Sequence, residues 1–511
     1  MGDPWLWGLS AETWVLIATL LGLTATYAMW PYSFFKRLNI PTPRPYPFIG
    51  TFLEYRKGWF KFDMECREKF GKIWGIYDGR SPVLMVADPS LYKTILVKDC
   101  YSTFTNRRNF QLNGPLNDAL TVVEDEKWKR IRSVLSPVFS TGKLKEVFPI
   151  VKHYGDLLVQ QAELKCNAGQ SFDAKKLLGA YSMDVITSTA FSADVNSLSN
   201  EHDPFVAYIN KLTKLGMFNP LLLLVVFFPA VTPLLVRMNV SMFPNDVLSF
   251  FMSNLQRLKN ERRKGEHTDR VDFLQTMVDA QISDSLLDEH GGIIPYKALT
   301  DSEILSQAMV FLLAGYETTA VTLTYIAYNL AVHADVQDKL FEEIDATLPP
   351  EEEVTYEKVS QLPYLDMVVS ESLRLYPPAG RLERIAKMDV ELGGIPVPKG
   401  TVIGIPVFVI HRHSEHWDDP TAFRPERFSK EAREQRDQYC YLPFGAGPRN
   451  CIGMRFALIN VKIAIVSLLR RFTLVTCPET KIPAEIGIRG LLEPKEPIIL
   501  KFAERKKSNQ D

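Results

Sequence analysis

Residues 444–453 read FGAGPRNCIG, a loop-like stretch that ends directly before a long apolar segment. The stretch sets one cysteine, Cys451, among three glycines and a proline. A cysteine that only fills a protein core packs as a small hydrophobic residue and needs no such surroundings. Since glycines let the backbone approach another group closely, the stretch indicates that a partner is admitted to the sulfur atom.

The surroundings of Cys451 leave more than one chemical role open. The apolar segment after it predicts a helix, so the cysteine lies at or near a helix N-terminus, where the macrodipole favours a thiolate. The thiolate is then either a nucleophile activated by a histidine, with His411, His413 and His416 as candidates, or a ligand of iron. A dinucleotide-binding loop is weakly supported, because GAGPRN lacks the third glycine and a clear preceding strand.

The bulk composition excludes several protein classes. The chain has 511 residues, 46% hydrophobic and 23% charged, which is enough apolar material for a large core. Its length predicts roughly three domains of about 150 residues, but the sequence contains no repeat or Gly/Ser-rich linker, so one large catalytic unit is at least as well supported. A net charge of −1 gives no support for a nucleic-acid partner. Six scattered cysteines without a CxxC pair fit a reducing compartment.

The N-terminal region predicts a membrane anchor. Between Glu12 and Lys36 lie 23 uncharged residues, and about 20 are enough to cross a bilayer core. Trp14 at one end and Trp30 and Tyr32 at the other match an aromatic belt, and the basic residues that follow predict a lumenal N-terminus and a cytoplasmic body. A cleaved signal peptide is the alternative, but the stretch is long and lacks a basic start. We therefore expect a retained signal-anchor.

Two further segments predict how the body meets the membrane. Residues 40–50, IPTPRPYPFIG, have alternating prolines and predict a stiff extended spacer. Residues 215–236 are uncharged but interrupted by three prolines, which favours a lid in contact with the membrane over a span, with a buried core hairpin as the alternative. The predicted units are residues 1–39 (lumenal N-terminus and anchor), 40–50 (hinge), 51–503 (single catalytic domain) and 504–511 (polar tail).

One long helix, bent or ending near its second third, is predicted within residues 299–344 and has polar residues in its apolar middle. Gly315 costs about 1 kcal/mol against alanine in a helix and so has a packing or ligand reason. Glu317 needs a hydrogen-bond partner if it is buried, and Thr318 bonds back to an earlier carbonyl and opens the helix slightly. An acid and an alcohol in one turn could relay protons to a group bound against the helix; a mildly kinked structural helix is the alternative.

Carboxylate and guanidinium groups predict a buried lock. Glu371 and Arg374 stand three residues apart on one helical face, and Arg427 lies in the proline-marked stretch FRPERF. We expect the carboxylate to bridge both guanidiniums, although an exposed ion pair is the commoner case for such spacing. Other residues could grip an anionic ligand if they converge on it: Arg107, Arg108, Trp128, Arg132, Arg384 and Arg449.

These motifs together resemble one family. The pattern from Phe444 to Gly453 resembles the haem-thiolate loop of cytochromes P-450, and every fixed position of that pattern is filled. The stretch WKRIR resembles the family's C-helix motif, AGYETT its oxygen-activation turn, and Glu371-x-x-Arg374 with FRPERF completes the set in the family's order. The similarity extends from the anchor nearly to Leu500. Phrases such as FTNRR, FLLAGYETT and PFGAGPRNCIGMRFAL resemble family 3, subfamily A, which oxidises drugs and steroids, or a close sister subfamily.

The resemblance implies a fold and a cofactor. The fold would be mainly α with small β-sheets, with a long central helix over haem b and one transmembrane helix before the domain. Cys451 would be the axial thiolate of the iron, which favours O–O cleavage. The implied haem contacts are Phe444 and the residues that would hold the haem propionates, namely Arg107, Trp128, Arg132, Arg384 and Arg449. Glu317 and Thr318, in the turn with Ala314 and Gly315, would stabilise oxygen and deliver protons, and Glu371, Arg374 and Arg427 would form a structural triad.

The resemblance also implies substrate contacts. These match positions that line the substrate pocket: Phe110, Thr121, Phe243, Leu313, Ala314, Ala379 and Leu491. Drug-oxidising relatives are expected to carry a cluster of phenylalanines over the pocket, whereas the matching places here are Leu221, Leu222 and Leu313. We therefore predict a less aromatic roof.

The implied function is insertion of one oxygen atom from O2 into lipophilic substrates such as steroids and drugs, at the endoplasmic reticulum membrane, with a single span and the catalytic domain facing the cytoplasm. Nothing in the sequence resembles a flavin or NADPH site, so we expect electrons from NADPH–cytochrome P-450 reductase, with cytochrome b5 as a second candidate donor. The residues predicted to meet the reductase are Lys127, Lys129, Arg130, Arg424 and Lys430. The alternatives are a haem isomerase or peroxygenase, a haem sensor, and a cysteine hydrolase without haem.

Overall fold

The computed structural model describes residues 10–200, 203–213, 216, 218–264, 272–282, 297–488 and 490–505. Parts of three predictions lie outside the described residues: the lumenal residues 1–9, residues 215 and 217 of the second apolar segment, and residues 506–511 of the polar tail.

The described chain is mainly helical, as predicted. Its α-helices, numbered α1 to α19 in chain order, are Ala11–Met29, Phe34–Arg37, Trp59–Phe70, Pro89–Lys93, Asp125–Leu135, Thr141–Asn167, Ala174–Phe191, Pro204–Thr213, Pro220–Phe227, Thr232–Arg237, Asn245–Arg263, Phe273–Asp279, Asp301–Val332, Ala334–Thr347, Tyr356–Ser360, Pro363–Leu375, Val407–Ile410, Lys430–Glu434 and Met454–Leu469.

Short strands form three small sheets. The strands β1 to β9 are Ile73–Asp78, Ser81–Val86, Ser171–Asp173, Leu382–Ile385, Val390–Leu392, Ile395–Val397, Val402–Ile405, Phe472–Val475 and Ile499–Glu504. The largest sheet has the order β1-β2-β7-β4, in which only the pairing of β2 with β7 is parallel. The others are β3-β9-β8 and the hairpin β5-β6. Because β9 runs through Glu504, the folded domain extends beyond the predicted boundary at residue 503.

Helix α13 is the buried centre of the molecule. It begins with a capping box, in which Thr300 and Glu303 satisfy each other's backbone N–H groups, and it ends before His333, where the next helix follows, near the predicted position. Helix α7 crosses it so closely that a Cβ on Gly315 would lie 2.6 Å from Ile186 Cδ1. Gly315 is therefore required by helix packing, one of the two reasons expected for a glycine there.

Helix α1 is apolar and exposed, as a membrane-spanning helix requires. The helical stretch 11–37 covers 27 residues, and only 6% of its most apolar window is buried inside the protein, against 72% for α13. The C-terminal end of the predicted anchor is packed against the folded domain. Phe35 is fully buried against Gly75, where a Cβ would clash with the phenyl ring, and Tyr32 Oη donates to the Gly79 carbonyl at 3.3 Å. The body therefore holds the end of the anchor.

The proline-rich segment is less extended than predicted. Residues 46 and 50 exchange two backbone hydrogen bonds of 2.8 Å, which closes a turn. The backbone N–H of Gly50 also donates to Tyr32 Oη at 3.0 Å. The segment is thus folded onto the body and the anchor, because its final glycine supplies the positive φ of 66° that the turn needs.

The second apolar segment is a bent pair of helices. Helix α9 and the helical stretch Pro229–Arg237 meet at an angle of 105°. Val225 and Val226 are buried, whereas Leu224, Phe228 and Leu234 are 38%, 41% and 59% exposed. The predicted alternative of a buried core hairpin is therefore wrong for the described residues, and the exposed apolar face fits a segment that meets the membrane surface.

Candidate functional site

A cavity of about 590 Å³ lies between helix α13 and the loop that carries Cys451. The structure brings most of the predicted site residues to its wall: Arg107, Thr121, Trp128, Arg132, Ala314, Gly315, Thr318, Ala379, Phe444, Arg449 and Cys451. These residues come from widely separated parts of the sequence, so their convergence is a property of the fold.

The cysteine loop is held by its own backbone. The N–H of Cys451 donates to the Phe444 carbonyl at 2.9 Å, which closes the loop ahead of α19. Burial raises the pKa of the Cys451 thiol, while the backbone N–H of Gly453, which donates to the sulfur, lowers it together with Arg132 and Arg107. Burial is the largest of these effects and leaves the pKa of the thiol above its usual value, so hydrogen bonding and nearby cations offset only part of the cost of a buried thiolate.

The glycines of the loop serve different purposes. Gly445 has a φ of 71° and lines the cavity, and the nearest atom to a Cβ there would be 3.7 Å away. Gly447 has a φ of 72°, but a Cβ there would clash with the Leu96 carbonyl. The expectation that the glycines make room for a ligand face is therefore wrong for Gly447, which is required by close packing against the backbone of another segment.

A cluster of buried arginines lies beside the cysteine loop. Burial, and next the neighbouring Arg107, lower the pKa values of both Arg384 and Arg449 to about 9. Arg384 Nε and Arg449 Nε and Nη1 are buried and have no hydrogen-bond partner among the described residues. Such unpaired cations are costly unless an anion joins them. The cluster consequently fits a ligand with more than one negative charge.

Other predicted residues fasten the loop itself. Arg132 donates from Nη1 to the Asn450 carbonyl at 2.9 Å and from Nη2 to Asn450 Oδ1 at 3.0 Å. Arg107 donates to the Arg449 carbonyl at 3.2 Å, and the guanidinium of Arg449 stacks 4.7 Å from the ring of Trp128. Of the two arginines with unpaired nitrogens, Arg449 lines the cavity and Arg384 is not part of its wall. An apolar cavity with a thiol at one wall and a cluster of such cations beside the cysteine loop fits the predicted haem, whose propionates would meet the arginines.

The predicted acid–alcohol pair faces two directions. Thr318 lines the cavity and donates from Oγ1 to the Ala314 carbonyl at 2.6 Å. Glu317 is 3% exposed and does not belong to the cavity wall; its Oε1 lies 2.6 Å from Lys175 Nζ, and Oε2 is buried without a partner among the described residues. Burial raises the pKa of Glu317 and Lys175 opposes the rise. Consecutive helical residues point about 100° apart, which explains the separation.

The predicted carboxylate–arginine lock is buried. Glu371 and Arg374 are both 0% exposed and share two hydrogen bonds of 2.6 and 2.7 Å. Arg427 Nε lies 3.3 Å from one oxygen of Glu371, so the carboxylate contacts both arginines, as expected of a bridge, and is bidentate to Arg374 alone. Arg374 also donates to the carbonyls of His411 and Pro420. The group ties helix α16 to the loops that precede the cysteine segment.

Four predicted substrate contacts are not part of the cavity wall, namely Phe110, Phe243, Leu313 and Leu491. Phe110 and Phe243 pack at the margins of two separate apolar clusters, and Leu313 packs into the core on another side of α13 from Ala314. The residue after Leu491 does not take its place in the wall. The fully buried Leu492 packs beside Gly380, and its N–H donates to the Pro378 carbonyl at 3.0 Å.

The wall contains aromatic residues that sequence reasoning missed. Phe139, Phe273, Phe311 and Phe456 line the cavity and contact one another with ring centroids 5.1 to 6.3 Å apart. Leu221 and Leu222 do not belong to the wall. The interior is therefore more aromatic than the leucine substitutions predicted. No local pattern marks these phenylalanines, which occur singly in four separate segments of the chain.

Three basic residues have structural partners. Arg108 donates to Asp78 and Glu383 at 2.6 Å, so the prediction that it grips an anionic ligand is not supported. Arg130 is buried, contacts both oxygens of Glu303 and donates to a backbone carbonyl. Its predicted contact with a reductase is therefore wrong. Lys127 is 45% exposed but paired with Asp118.

A histidine base for Cys451 is not found. Within the part of the chain that the structure describes, no histidine lines the cavity. His411 is fully buried, accepts the Leu442 N–H at 2.8 Å, and has its pKa lowered to about 3 by burial and by Arg374. His413 and His416 lie near Glu415, outside the wall. This geometry argues against a cysteine hydrolase.

Comparisons with known proteins agree with the site. A family model described as Cytochrome P450 matches residues 40–502. Cytochrome P450 3A56 of Fundulus heteroclitus is 52% identical over 497 residues, which cover 97% of this chain and 99% of the relative. Cytochrome P450 3A40 of Oryzias latipes is 52% identical, with 98% of each chain covered. Cytochrome P450 3A9 of Rattus norvegicus is 51% identical, with 97% of each chain covered.

Proposed function

The chain belongs to the cytochrome P450 family and is a haem-thiolate monooxygenase, and we propose that it oxidises steroids, drugs and other lipophilic compounds of similar size with electrons from NADPH–cytochrome P450 reductase. When bound, the haem iron supplies the oxygen-activating chemistry, with Cys451 as its thiolate ligand. The protein's own residues hold the cofactor, exclude water, orient the substrate and move protons.

The observation that carries this proposal is the combination of unpaired buried arginines and an apolar wall around one thiol. Arg384 and Arg449 present guanidinium nitrogens without partners among the described residues, and we assign them to the haem propionates together with Arg107. Trp128 and Phe444 would pack against the macrocycle. Binding a dianion here removes the cost of clustered cations, so cofactor binding and loop stability are coupled.

The substrate class follows from the wall. Thr121 and Ala379 lie among apolar side chains, chiefly Leu120, Phe139, Ile186, Phe273, Val310, Phe311, Val369 and Leu373. Burying apolar surface there contributes about 25 cal/mol per Å². Charged residues of the same wall are already paired, Arg108 with Asp78 and Glu383, and Arg381 with Asp63. Lipophilic, uncharged or weakly polar compounds therefore bind best. Phe110, Phe243, Leu313 and Leu491 are proposed only as contacts of larger ligands that reach past this wall.

Proton supply is assigned to the central helix. Thr318 donates to Ala314, so its oxygen lone pairs are available on the cavity side. Glu317 is held by Lys175, which also contacts Glu493 at 2.5 Å. Although burial opposes it, these two carboxylates raise the pKa of Lys175. We propose that the Thr318 hydroxyl turns from the Ala314 carbonyl to donate its proton at the cavity, and that Glu317, on the buried side, is the acid from which Thr318 is reprotonated.

Electron supply is assigned to the face that carries the cysteine loop. Lys129, Arg424 and Lys430 remain candidate contacts, as does Lys127, and Arg130 is removed from the set. A charge reversal Lys430→Glu should weaken reductase-supported turnover, while Lys481→Glu, at an exposed lysine elsewhere, should not. Turnover that does not change with ionic strength would contradict charge-guided docking. Cytochrome b5 is proposed to use the same face.

Membrane attachment completes the proposal. Helix α1 would span the endoplasmic reticulum membrane once, with its N-terminus in the lumen and the catalytic domain in the cytoplasm. The exposed apolar side chains of the bent segment 220–237 would insert into the cytoplasmic leaflet, on the side of the catalytic domain. Lipophilic substrates dissolved in the bilayer would then reach the cavity without crossing water.

The experiment is reconstituted turnover under labelled oxygen. Haem-loaded protein, NADPH–cytochrome P450 reductase and NADPH are incubated with a steroid under ¹⁸O2, and the product is examined by mass spectrometry. We expect one ¹⁸O atom per product molecule and no product without reductase. Complete absence of oxidised product from a panel of steroids and uncharged drugs, with haem bound and reduced, would contradict the proposed substrate class.

A further inference from the structure

We propose that His413, Glu415 and His416 form a binding site for a borderline divalent cation such as Zn²⁺. The three residues belong to the stretch HSEH that follows helix α17, and one ligand atom from each lies within 4.8 Å of the other two. None of them lines the haem cavity, so the site is independent of the proposed function.

The two imidazoles already lie close to each other and to the carboxylate. Nδ1 of His413 lies 4.0 Å from Glu415 Oε2, and the ring centroids of His413 and His416 are 5.9 Å apart. Nε2 of His416 is buried and has no hydrogen-bond partner among the described residues. Nδ1 of His413 accepts only the Glu415 backbone N–H, at 3.2 Å. A cation would take this lone pair in place of that long hydrogen bond.

Neighbouring groups would orient the ligands. Glu68 on helix α3 lies 3.7 Å from the other nitrogen of His413, which matches the carboxylate–histidine–metal arrangement common around metal ligands. Arg67 donates to Glu415 Oε2 at 2.7 Å and Lys72 to Oε1 at 2.5 Å. A carboxylate has about four lone-pair sites, so Glu415 can keep Arg67 while it binds a cation, and the more exposed Lys72 is the contact that would be released.

The donor set selects the class of cation. Two imidazole nitrogens and a carboxylate oxygen suit Zn²⁺, Ni²⁺ and Cu²⁺, whereas Mg²⁺ and Ca²⁺ prefer oxygen ligands throughout. The Glu415 side chain is 40% exposed, so a cation can enter from solvent and complete its coordination with water. The cations Arg67 and Lys72 offset the two carboxylates nearby, which limits affinity and favours a site that responds to metal concentration.

Occupancy would stiffen a segment that supports the buried lock. The backbone carbonyl of His411, two residues before the site, accepts a hydrogen bond of 2.8 Å from Arg374 Nη1. Trp417, one residue after it, packs 5.0 Å from the Arg374 guanidinium and donates to the Ile410 carbonyl. A cation bound only to the folded chain stabilises it in proportion to its saturation. We therefore expect Zn²⁺ to raise the unfolding temperature.

Isothermal titration of the haem-loaded protein with Zn²⁺ tests the site. The parent should bind one more Zn²⁺ per chain than the double variant His413→Asn/His416→Asn, and Mg²⁺ should give no heat of binding at the site. The matched control His153→Asn, at an exposed histidine far along the sequence, should bind like the parent. Equal stoichiometry and affinity in the parent and the double variant would overturn the proposal.

Single substitutions test the same site if the double variant does not fold. His416→Asn and Glu68→Gln should each weaken Zn²⁺ binding roughly tenfold or more, with an unchanged carbon-monoxide difference spectrum as the check on the domain. Zn²⁺ should raise the unfolding temperature of the parent and not of His416→Asn. An unchanged affinity in His416→Asn protein that retains the parent spectrum would also overturn the proposal.

Discussion

Glu371 and Arg374 form a bidentate ion pair in which both side chains are fully excluded from solvent. The carboxylate also accepts the Arg424 backbone N–H at 2.9 Å, and the guanidinium donates to carbonyls of the loops around residues 411 and 420. One pair thus joins a helix to the irregular segment that leads to the cysteine loop. Removing one partner leaves the other charge buried and unpaired.

Glu371→Gln should therefore lower the free energy of unfolding by about 3–5 kcal/mol and reduce haem content, as measured by urea titration and by the haem absorbance of purified protein. The control Lys339→Ala removes an exposed pair with Glu426 and should cost about 0.5 kcal/mol or less. Equal effects of the two substitutions would show that the buried pair is not a structural lock.

Thr318→Val should separate haem binding from turnover. The hydroxyl is lost but the shape of the side chain is kept, so the carbon-monoxide spectrum should remain while steroid oxidation falls roughly 10²-fold. Thr318→Ser should restore much of the rate. Thr322→Val is the matched control, because Thr322 lies one turn later in the same wall and bonds to the Thr318 carbonyl. A parent-like rate in Thr318→Val would remove this residue from the proton path.

Gly315→Ala should be destabilising because of helix α7. The added methyl would lie 2.6 Å from Ile186 Cδ1 and 2.7 Å from Cγ1, and overpacking of this kind costs about 1–3 kcal/mol. Ile186→Ala removes both atoms and costs stability by itself. In the double variant the new methyl occupies part of the vacated space, so the two losses should sum to more than the measured loss. Strict additivity in urea titrations would contradict this packing account.

His411 should make the fold sensitive to mild acid. Its folded-state pKa is lowered to about 3 from 6.5, first by burial and then by Arg374. Below pH 6.5 the unfolded chain takes up a proton that the folded chain does not, so the free energy of unfolding falls as pH falls, by about 2 kcal/mol between pH 6.5 and 5.0. Urea titrations at several pH values measure this loss.

The variant His411→Gln removes the titrating group and can still accept the Leu442 N–H. Its stability should depend less on pH over the same range, whereas the control His153→Gln should keep the dependence of the parent. Identical pH profiles for His411→Gln and the parent would show that other groups cause the acid sensitivity.

The fold class and the cysteine loop could be predicted because their signals are local. The loop from Phe444 to Cys451 is a contiguous pattern, and the triad pair Glu371 and Arg374 stands on one helical turn. The apolar length of the anchor is likewise read directly from the sequence. In each case the residues that determine the feature are neighbours in the chain.

Features that depend on contact between distant segments could not be predicted. Arg130 and Arg132 stand two residues apart on helix α5, yet the first pairs with Glu303 and the second holds Asn450. The partner of Glu317 is Lys175, which arrives from the start of another helix. No local pattern shows which of these polar side chains is buried with a partner, because each of them could equally well be exposed to solvent.

The directions of side chains in irregular segments could not be predicted either. In the stretch near residue 491 the side chains have no helical or strand repeat to fix their direction, and neither Leu491 nor the buried Leu492 belongs to the cavity wall. The aromatic cavity wall was missed for a similar reason, since Phe139 and Phe311 meet only through the packing of separate helices.

The central claim is that Cys451 is the thiolate ligand of a haem held in this cavity. The most direct test is the carbon-monoxide difference spectrum of the dithionite-reduced protein, recorded beside that of Cys451→Ala. We predict a strongly red-shifted Soret band in the parent that is lost in the variant. A parent that is folded but shows no such band, or a variant that keeps it, would contradict the account.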